Sequence, residues 1–162
     1  MPATPQALVG RIVRAQTREE VVTGLVQPVL PDTSLSLLLL PRDNLAVALA
    51  ATGTVLTAEQ VRALVVPLDR PSLIKTALDE RKPAVGSADD DRLQAMMAGY
   101  LEAPPPVSAC VVPICLGRNV VNLLCVQFRS PADRQATKAL GELADAAAAA
   151  YARLIGQRRV NR

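Results

Sequence analysis

The clearest indication of the fold is the segment Cys110-Val-Val-Pro-Ile-Cys-Leu-Gly-Arg-Asn-Val-Val-Asn-Leu-Leu-Cys-Val126. It contains two apolar runs on either side of Gly117-Arg118-Asn119, and glycine and asparagine tolerate the positive φ angles of tight turns. The pattern predicts a β-hairpin with strands over residues 108–115 and 120–128.

The register of this hairpin places its cysteines. If Gly117 and Arg118 are the two loop residues, Cys115 lies opposite Val120. Cys110 then lies opposite Cys125, and both thiols are expected on the same side of the sheet.

A second strand pair and several helices surround the hairpin. Residues 34–40 are apolar almost without interruption, which predicts a strand covered on both faces, and residues 45–51 return beside it after a turn. Residues 84–86 predict a short edge strand. Helices are predicted after Pro5, from Thr17 with a capping box, over residues 72–81, and after Ser130, which is the expected cap of the last helix.

The last helix carries apolar residues at alternating spacings of four and three, which is typical of a coiled-coil-like contact. Part of this stripe must cover the sheet of its own domain. The remainder is expected to join the first helix in an intermolecular bundle, which predicts a homodimer. The stripe consists of Ala136, Leu140, Leu143, Ala147, Ala150 and Leu154, and the predicted interface of Leu8, Ile12, Leu140, Leu143, Ala147, Ala150 and Leu154.

The order of these segments resembles the GAF domain family, which comprises sensor and dimerisation domains of signalling proteins. Three stretches carry the resemblance: Ala15-Gln-Thr-Arg-Glu-Glu-Val-Val22, residues 71–85, and the hairpin with its apolar–Pro–apolar strand. The resemblance covers about residues 8–155. The whole chain, residues 1–162, is therefore predicted to be one domain, with residues 156–162 as a basic tail.

The resemblance implies an α+β fold with a central antiparallel sheet of strand order 2-1-5-4-3. Terminal helices would pack on one face, and the middle helices would cover a small-molecule pocket on the other. The polar side chains of the segment from residue 70 to 100 would then line this pocket. The candidate ligand-binding residues are Arg70, Ser72, Thr76 and Tyr100.

The chain departs from the family pattern in ways that exclude several ligands. Asn122 stands where the returning strand often has glycine, and the Asn-Lys…Phe…Asp-Glu pattern of cyclic-nucleotide-binding members is missing. There is no histidine, so the Cys-His attachment of bilins cannot exist, and haem and most metal sites lose their usual ligand. We expect no cofactor and no metal, and interpret Asp89 to Asp91 as residues that precede and cap a helix.

The three cysteines raise one enzymatic alternative. The GAF-family enzyme free methionine-(R)-sulfoxide reductase also works with three cysteines, but its reactive thiols lie on loops around the pocket. Cys110, Cys115 and Cys125 fall within predicted strands, where a thiol is normally a small buried hydrophobe. An odd number of such cysteines fits reduced thiols in the cytoplasm. We predict no catalytic residue.

The composition argues against a nucleic-acid-binding protein and against a membrane-spanning or secreted one. Half of the chain is apolar, yet it has no Trp, one Phe and two Tyr, so nucleic acid would find few stacking platforms. The net charge is +3, and the basic residues are interleaved with acids. No apolar run is long enough to span a bilayer, and no signal-peptide pattern opens the chain.

The sequence therefore predicts a non-enzymatic signalling domain of a cytoplasmic, bacterial-type system. It would dimerise and contact a signalling protein, or it would bind a small molecule that the sequence does not identify. Because the chain is poor in groups that confer ligand specificity, we favour the interaction role.

Overall fold

The computed structural model describes residues 4–160, except for the side chain of Asp91. Its centre is a six-stranded antiparallel sheet of order β3-β2-β1-β6-β5-β4. The α+β fold class is confirmed. The expected order is present with one additional edge strand, β3, which the sequence did not indicate. The strands are β1 (Thr33–Arg42), β2 (Leu45–Thr52), β3 (Val65–Pro67), β4 (Ala84–Ser87), β5 (Ser108–Leu116) and β6 (Asn119–Phe128).

Helices cover both faces of this sheet. Helices α1, α2 and α6 pack on one face, and α3 to α5 lie over the other. None of the helices within residues 4–160 combines the length and the apolar character needed to cross a membrane. The helices are α1 (Pro5–Val13), α2 (Arg18–Leu25), α3 (Ala58–Arg62), α4 (Leu73–Glu80), α5 (Gln94–Met97) and α6 (Arg134–Val160), and a 3₁₀ turn spans Ala88–Asp91.

Side-chain caps set the helix starts. The Thr17 hydroxyl accepts from the Glu20 N–H at 3.1 Å, as its sequence predicts. The reciprocal bond of the predicted capping box does not form, because the Glu20 carboxylate accepts from the Gln16 N–H at 2.7 Å. The expected cap of α6 is wrong: the Asp133 carboxylate accepts from the Ala136 N–H at 2.8 Å, and α6 begins after it. Ser130 lies three residues too early, and its carbonyl accepts from the Ser108 hydroxyl.

The hairpin register differs from the predicted one by one residue. Cys115 pairs with Val120 as expected, but a bulge follows between Ile114 and Cys115, so Cys110 pairs with Val126 and Cys125 with Val111. Because side chains alternate along a strand, a one-residue shift moves a side chain to the other face. The expectation that both thiols share a face is therefore wrong.

The two sheet faces bury separate apolar clusters. The helix-side core lies under α1, α2 and α6, contains Cys110 and Leu38, and closes against Leu143. The middle core lies under α3 to α5 and contains Cys125, Leu37, Leu39, Ile74 and Met97. Adjacent leucines of β1 thus enter opposite cores. This confirms that the continuous apolar run of β1 is covered on both sides.

The side chains expected at an intermolecular seam are enclosed by the chain itself. Six of the seven are at most 2% exposed and belong to the helix-side core, which excludes them from direct contact with a second chain: Leu8, Ile12, Leu140, Leu143, Ala147 and Ala150. Ala136 and Leu154 are half-buried at its margin. The apolar stripe of α6 is long because it packs against both α1 and the sheet. A dimer remains a prediction, but it needs another surface.

The predicted basic tail is largely helical. Residues 156–160 form the last turn of α6, where Arg158 and Arg159 are exposed. Cations at a helix C-terminus interact favourably with its carbonyl groups, so this cluster stabilises the helix end. Asn161 and Arg162 lie outside the described residues.

Two candidate grooves on opposite faces of the sheet

The middle groove lies beside the N-terminus of α4 and has a volume of about 990 Å³. Three of the four predicted ligand-binding residues line it, namely Arg70, Ser72 and Thr76. Tyr100 is not among its lining residues. Its backbone carbonyl accepts from the Thr54 hydroxyl at 2.9 Å, and its side chain is 44% exposed.

Some polar groups of the middle groove already interact with neighbouring groups of the protein. The Ser72 hydroxyl accepts from the Lys75 N–H at 3.1 Å and so caps α4. Arg92 lies 3.5 Å from the Asp69 carboxylate. Asp89 and Asp90 also line the groove. Among the described side chains of residues 4–160, which do not include that of Asp91, no three acidic or cysteine side chains come together in a way that could hold a metal ion.

The side chains beneath the middle groove are buried. Leu73 and Met96 line the groove and are partly buried, while their chain neighbours Ile74 and Met97 are fully buried behind them. Leu93 is also fully buried there. The middle groove is therefore a surface feature that lies outside a packed core.

A second groove of about 1030 Å³ lies on the other face of the sheet, and we call it the helix-side groove. It runs between the start of α2, the β5–β6 hairpin and the last turns of α6. Sequence reasoning did not find it, although it singled out Asn122. Its lining residues are Gln16, Thr17, Arg18, Glu19, Leu116, Val121, Asn122, Tyr151, Leu154, Ile155, Gln157 and Arg158.

Two buried polar side chains form the floor of the helix-side groove. The Tyr151 hydroxyl donates to Asn122 Oδ1 at 2.7 Å, and Asn122 Nδ2 donates to the Leu39 carbonyl at 3.3 Å. Asn122 is 1% exposed and Tyr151 is 7% exposed. Burial raises the pKa of Tyr151, and the nearby Arg18 guanidinium lowers it by a smaller amount. The tyrosine is therefore a neutral donor at physiological pH.

The cysteines do not form a reactive cluster. Cys110 and Cys125 are buried in different cores, and Cys115 is half-buried near the hairpin turn. Burial raises the pKa of Cys110 to about 11, and a contact of 4.0 Å with the Thr137 hydroxyl offsets this only partly. A thiol of this kind is almost entirely protonated at neutral pH, and the thiolate is the nucleophile.

A model of the GAF domain family matches residues 18–151 of this chain. The chain belongs to the GAF domain family. Within this GAF domain the match begins at α2 and ends in α6, so it includes the whole sheet and the middle groove but only part of the lining of the helix-side groove. No curated protein matches the sequence.

Solved structures similar to this GAF domain include a domain of a phosphotransferase, a fragment of a chemotaxis protein and a sulfoxide reductase. It is similar to the GAF domain of a phosphoenolpyruvate-protein phosphotransferase from Coxiella burnetii, with 19% identity, a TM-score of 0.68, and coverage of 96% of this chain and 94% of that one. A fragment of a methyl-accepting chemotaxis protein has 19% identity and a TM-score of 0.68 over 93% and 98% of the two chains.

A sulfoxide reductase is equally similar in fold. Free methionine-R-sulfoxide reductase from Neisseria meningitidis has 16% identity and a TM-score of 0.68, over 97% of this chain and 89% of that one. Identities this low show the shared fold alone. The choice between a regulatory and an enzymatic role therefore depends on the residues of this chain.

Proposed function

We propose that this GAF domain is a non-enzymatic module of a signalling system, and that it acts by dimerisation and contact with a partner protein. The packed middle core is the observation that carries this proposal. A small-molecule sensor needs space for its ligand, and here Leu37, Ile74, Leu93 and Met97 fill the layer between the sheet and the middle helices without exposure to solvent.

The outer surface of α6 supports the dimer. Ala149, Ala152 and Gly156 are exposed there at spacings of three and four residues, and such small residues allow a second helix to approach closely. Exposed apolar side chains lie nearby, since Ile155 is 43% exposed and Val13, at the end of α1, is 46% exposed. We propose that this outer face, and not the buried stripe, contacts the second copy.

The cysteine geometry supports a non-enzymatic role over the sulfoxide reductase alternative. A thiol–disulfide cycle needs two sulfurs that can meet, and Cys110 and Cys125 lie on opposite faces of the sheet. Cys115 alone has access to solvent. In the native protein we expect a disulfide reagent to modify Cys115 and leave the other two unmodified. Rapid modification of two or three thiols would favour the enzyme.

Small-molecule binding remains the second form of the proposed function. The middle groove would be the site, with Arg70, Ser72 and Thr76 as contacts, because these polar groups face an open surface of suitable size. We propose a cytoplasmic location, since an odd number of cysteines, all within strands, fits a reducing compartment. We propose no nucleic-acid role, because the domain offers few aromatic side chains.

Sedimentation velocity at tens of micromolar, combined with native mass spectrometry of the purified protein, tests the proposal. We expect a dimer whose mass equals two bare chains. A monomer at these concentrations would contradict the dimerisation role. A dimer that carries an additional constant mass would instead support the small-molecule form.

A further inference from the structure

The helix-side groove contains a polar pair that the apolar core around it does not require. Leu38, Leu124 and Ile114 pack in the same core without polar groups, and burial of an amide is unfavourable unless it is hydrogen-bonded. The hydrogen bond between Tyr151 and Asn122 satisfies the hydroxyl proton of one and the amide oxygen of the other. Both side chains nevertheless line the groove. They bring hydrogen-bonding capacity to an otherwise apolar floor.

Part of that capacity is unused. An asparagine amide has two N–H donors, and Asn122 directs one of them to the Leu39 carbonyl. The Tyr151 oxygen donates its single proton to Asn122, and no donor from residues 4–160 is bonded to its lone pairs. The Tyr151 oxygen, which lines the groove, could therefore accept a hydrogen bond from a ligand.

The rim of the groove is cationic and its walls are apolar. Arg18 comes from the start of α2 and Arg158 from the end of α6, and neither forms an ion pair with a carboxylate of the described residues. Glu19 is the one acidic residue in the lining. The apolar walls come from Leu116, Val121, Leu154 and Ile155.

We propose that the helix-side groove binds a small amphipathic anion, with its carboxylate or phosphate between Arg18 and Arg158 and its apolar body against Leu116 and Leu154. The groove volume of about 1030 Å³ is ample for such a molecule. Guanidinium groups match the geometry of both oxyanions, so the two headgroups share this chemistry. The site lies on the opposite face of the sheet from the middle groove, and it shares Ile155 with the outer face of α6 that is proposed to contact a second copy.

A bound anion would contact three separate elements at once. Its headgroup would lie between α2 and the end of α6, and its body would touch the β5–β6 hairpin. The position of the last turns of α6 would then depend on the ligand, because Arg158 and Leu154 belong to that helix.

Tyrosine fluorescence provides a direct test, since the chain has no Trp and only two Tyr. Tyr100→Phe leaves Tyr151, in the groove floor, as the sole reporter. Titration of this variant with sodium hexanoate and with hexyl phosphate should give a saturable change with a Kd of about 1–10 mM for at least one of them. The tighter of the two identifies the headgroup. Hexanol, which lacks the charge, should bind at least about tenfold more weakly.

Variants in the Tyr100→Phe background locate the site. Arg18→Gln should raise the Kd at least about tenfold, Arg18→Lys should retain much of the affinity, and Arg118→Gln, on the exposed hairpin turn, should change nothing. The proposal is overturned by the absence of a saturable signal, by equal binding of hexanol, or by equal effects at Arg18 and Arg118. It is also overturned if the Tyr151 signal follows protein concentration instead of the anion, because a second copy would then cover the groove.

Discussion

At the scale of single residues, the Tyr151–Asn122 hydrogen bond offsets the cost of burying two polar side chains in the helix-side core. We expect Tyr151→Phe to lower the free energy of unfolding by about 1–3 kcal/mol, because Asn122 Oδ1 then remains buried without a donor. Tyr100→Phe is the matched control. Its exposed side chain predicts a change within about 0.5 kcal/mol in urea denaturation.

The same pair predicts strong non-additivity. Asn122→Leu alone leaves the Tyr151 hydroxyl without its acceptor, but the double variant removes both polar partners. The double variant should therefore lose at least about 0.5 kcal/mol less than the sum of the two single losses. Additive losses would show that the hydrogen bond contributes little beyond packing.

The Cys110 thiol predicts a loss of stability at alkaline pH. Its pKa rises from 9.0 to about 11 on folding, so the unfolded chain releases the proton first, and the free energy of unfolding falls as pH increases from 9 to 11. The fall attributable to this group approaches about 2–3 kcal/mol at pH 11. Urea denaturation at pH 8, 9, 10 and 11 should show a shallower fall in Cys110→Ala than in the wild type. Parallel pH profiles of the two proteins would contradict the assignment.

At the scale of elements, the junction after β2 depends on Gly53. Its φ angle is +87°, and a Cβ there would lie 2.1 Å from the Ser34 carbonyl oxygen at the start of β1. We expect Gly53→Ala to lower the free energy of unfolding by at least about 3 kcal/mol, because the backbone of β1 must move. Gly117→Ala is the matched control. Gly117 also has a positive φ, of +61°, but its Cβ would enter open space, so the expected loss is about 1–2 kcal/mol.

Most helices and strands were predictable from the sequence. The features that were missed, a bulge and a short strand, both depend on pairing with another strand. Apolar periodicity and turn residues located the hairpin of β5 and β6, and the continuous run in β1 indicated coverage on both faces. The bulge beside Cys115 could not be predicted, because it depends on the twist and pairing of two strands and has no sequence signal of its own. The short strand β3 forms only where β2 offers an open edge.

The candidate sites were less predictable than the elements. Arg70, Ser72 and Thr76 share one helix start, so local sequence placed them together. The helix-side groove instead joins residues from α2, the hairpin and α6, and Tyr151 reaches an asparagine 29 positions earlier in the chain. No local pattern encodes that contact. Asn122 was the available signal, as a polar residue at a position where the GAF family often has glycine.

At the scale of the whole molecule, the outer face of α6 predicts how the domain associates. Ala152→Arg places a charge on that exposed face without disturbing the helix-side core, so it should shift the dimer towards monomer and leave the melting temperature of the monomer unchanged. Ala58→Arg, on the exposed start of α3, is the matched control and should remain dimeric. Sedimentation velocity at equal concentrations compares them. Identical behaviour of both variants would exclude this face of α6.

Cys110 and Cys125 make it possible to measure whether the two layers of the domain open together or separately. Cys110 and Cys125 belong to adjacent residue pairs of the β5–β6 hairpin, yet each side chain is buried in a different core. The rate at which each thiol becomes accessible in the native state measures the opening of its own layer. Equal rates would mean that both layers open in one concerted event. A faster rate at Cys125 would mean that the middle helices detach while α1, α2 and α6 still hold the sheet.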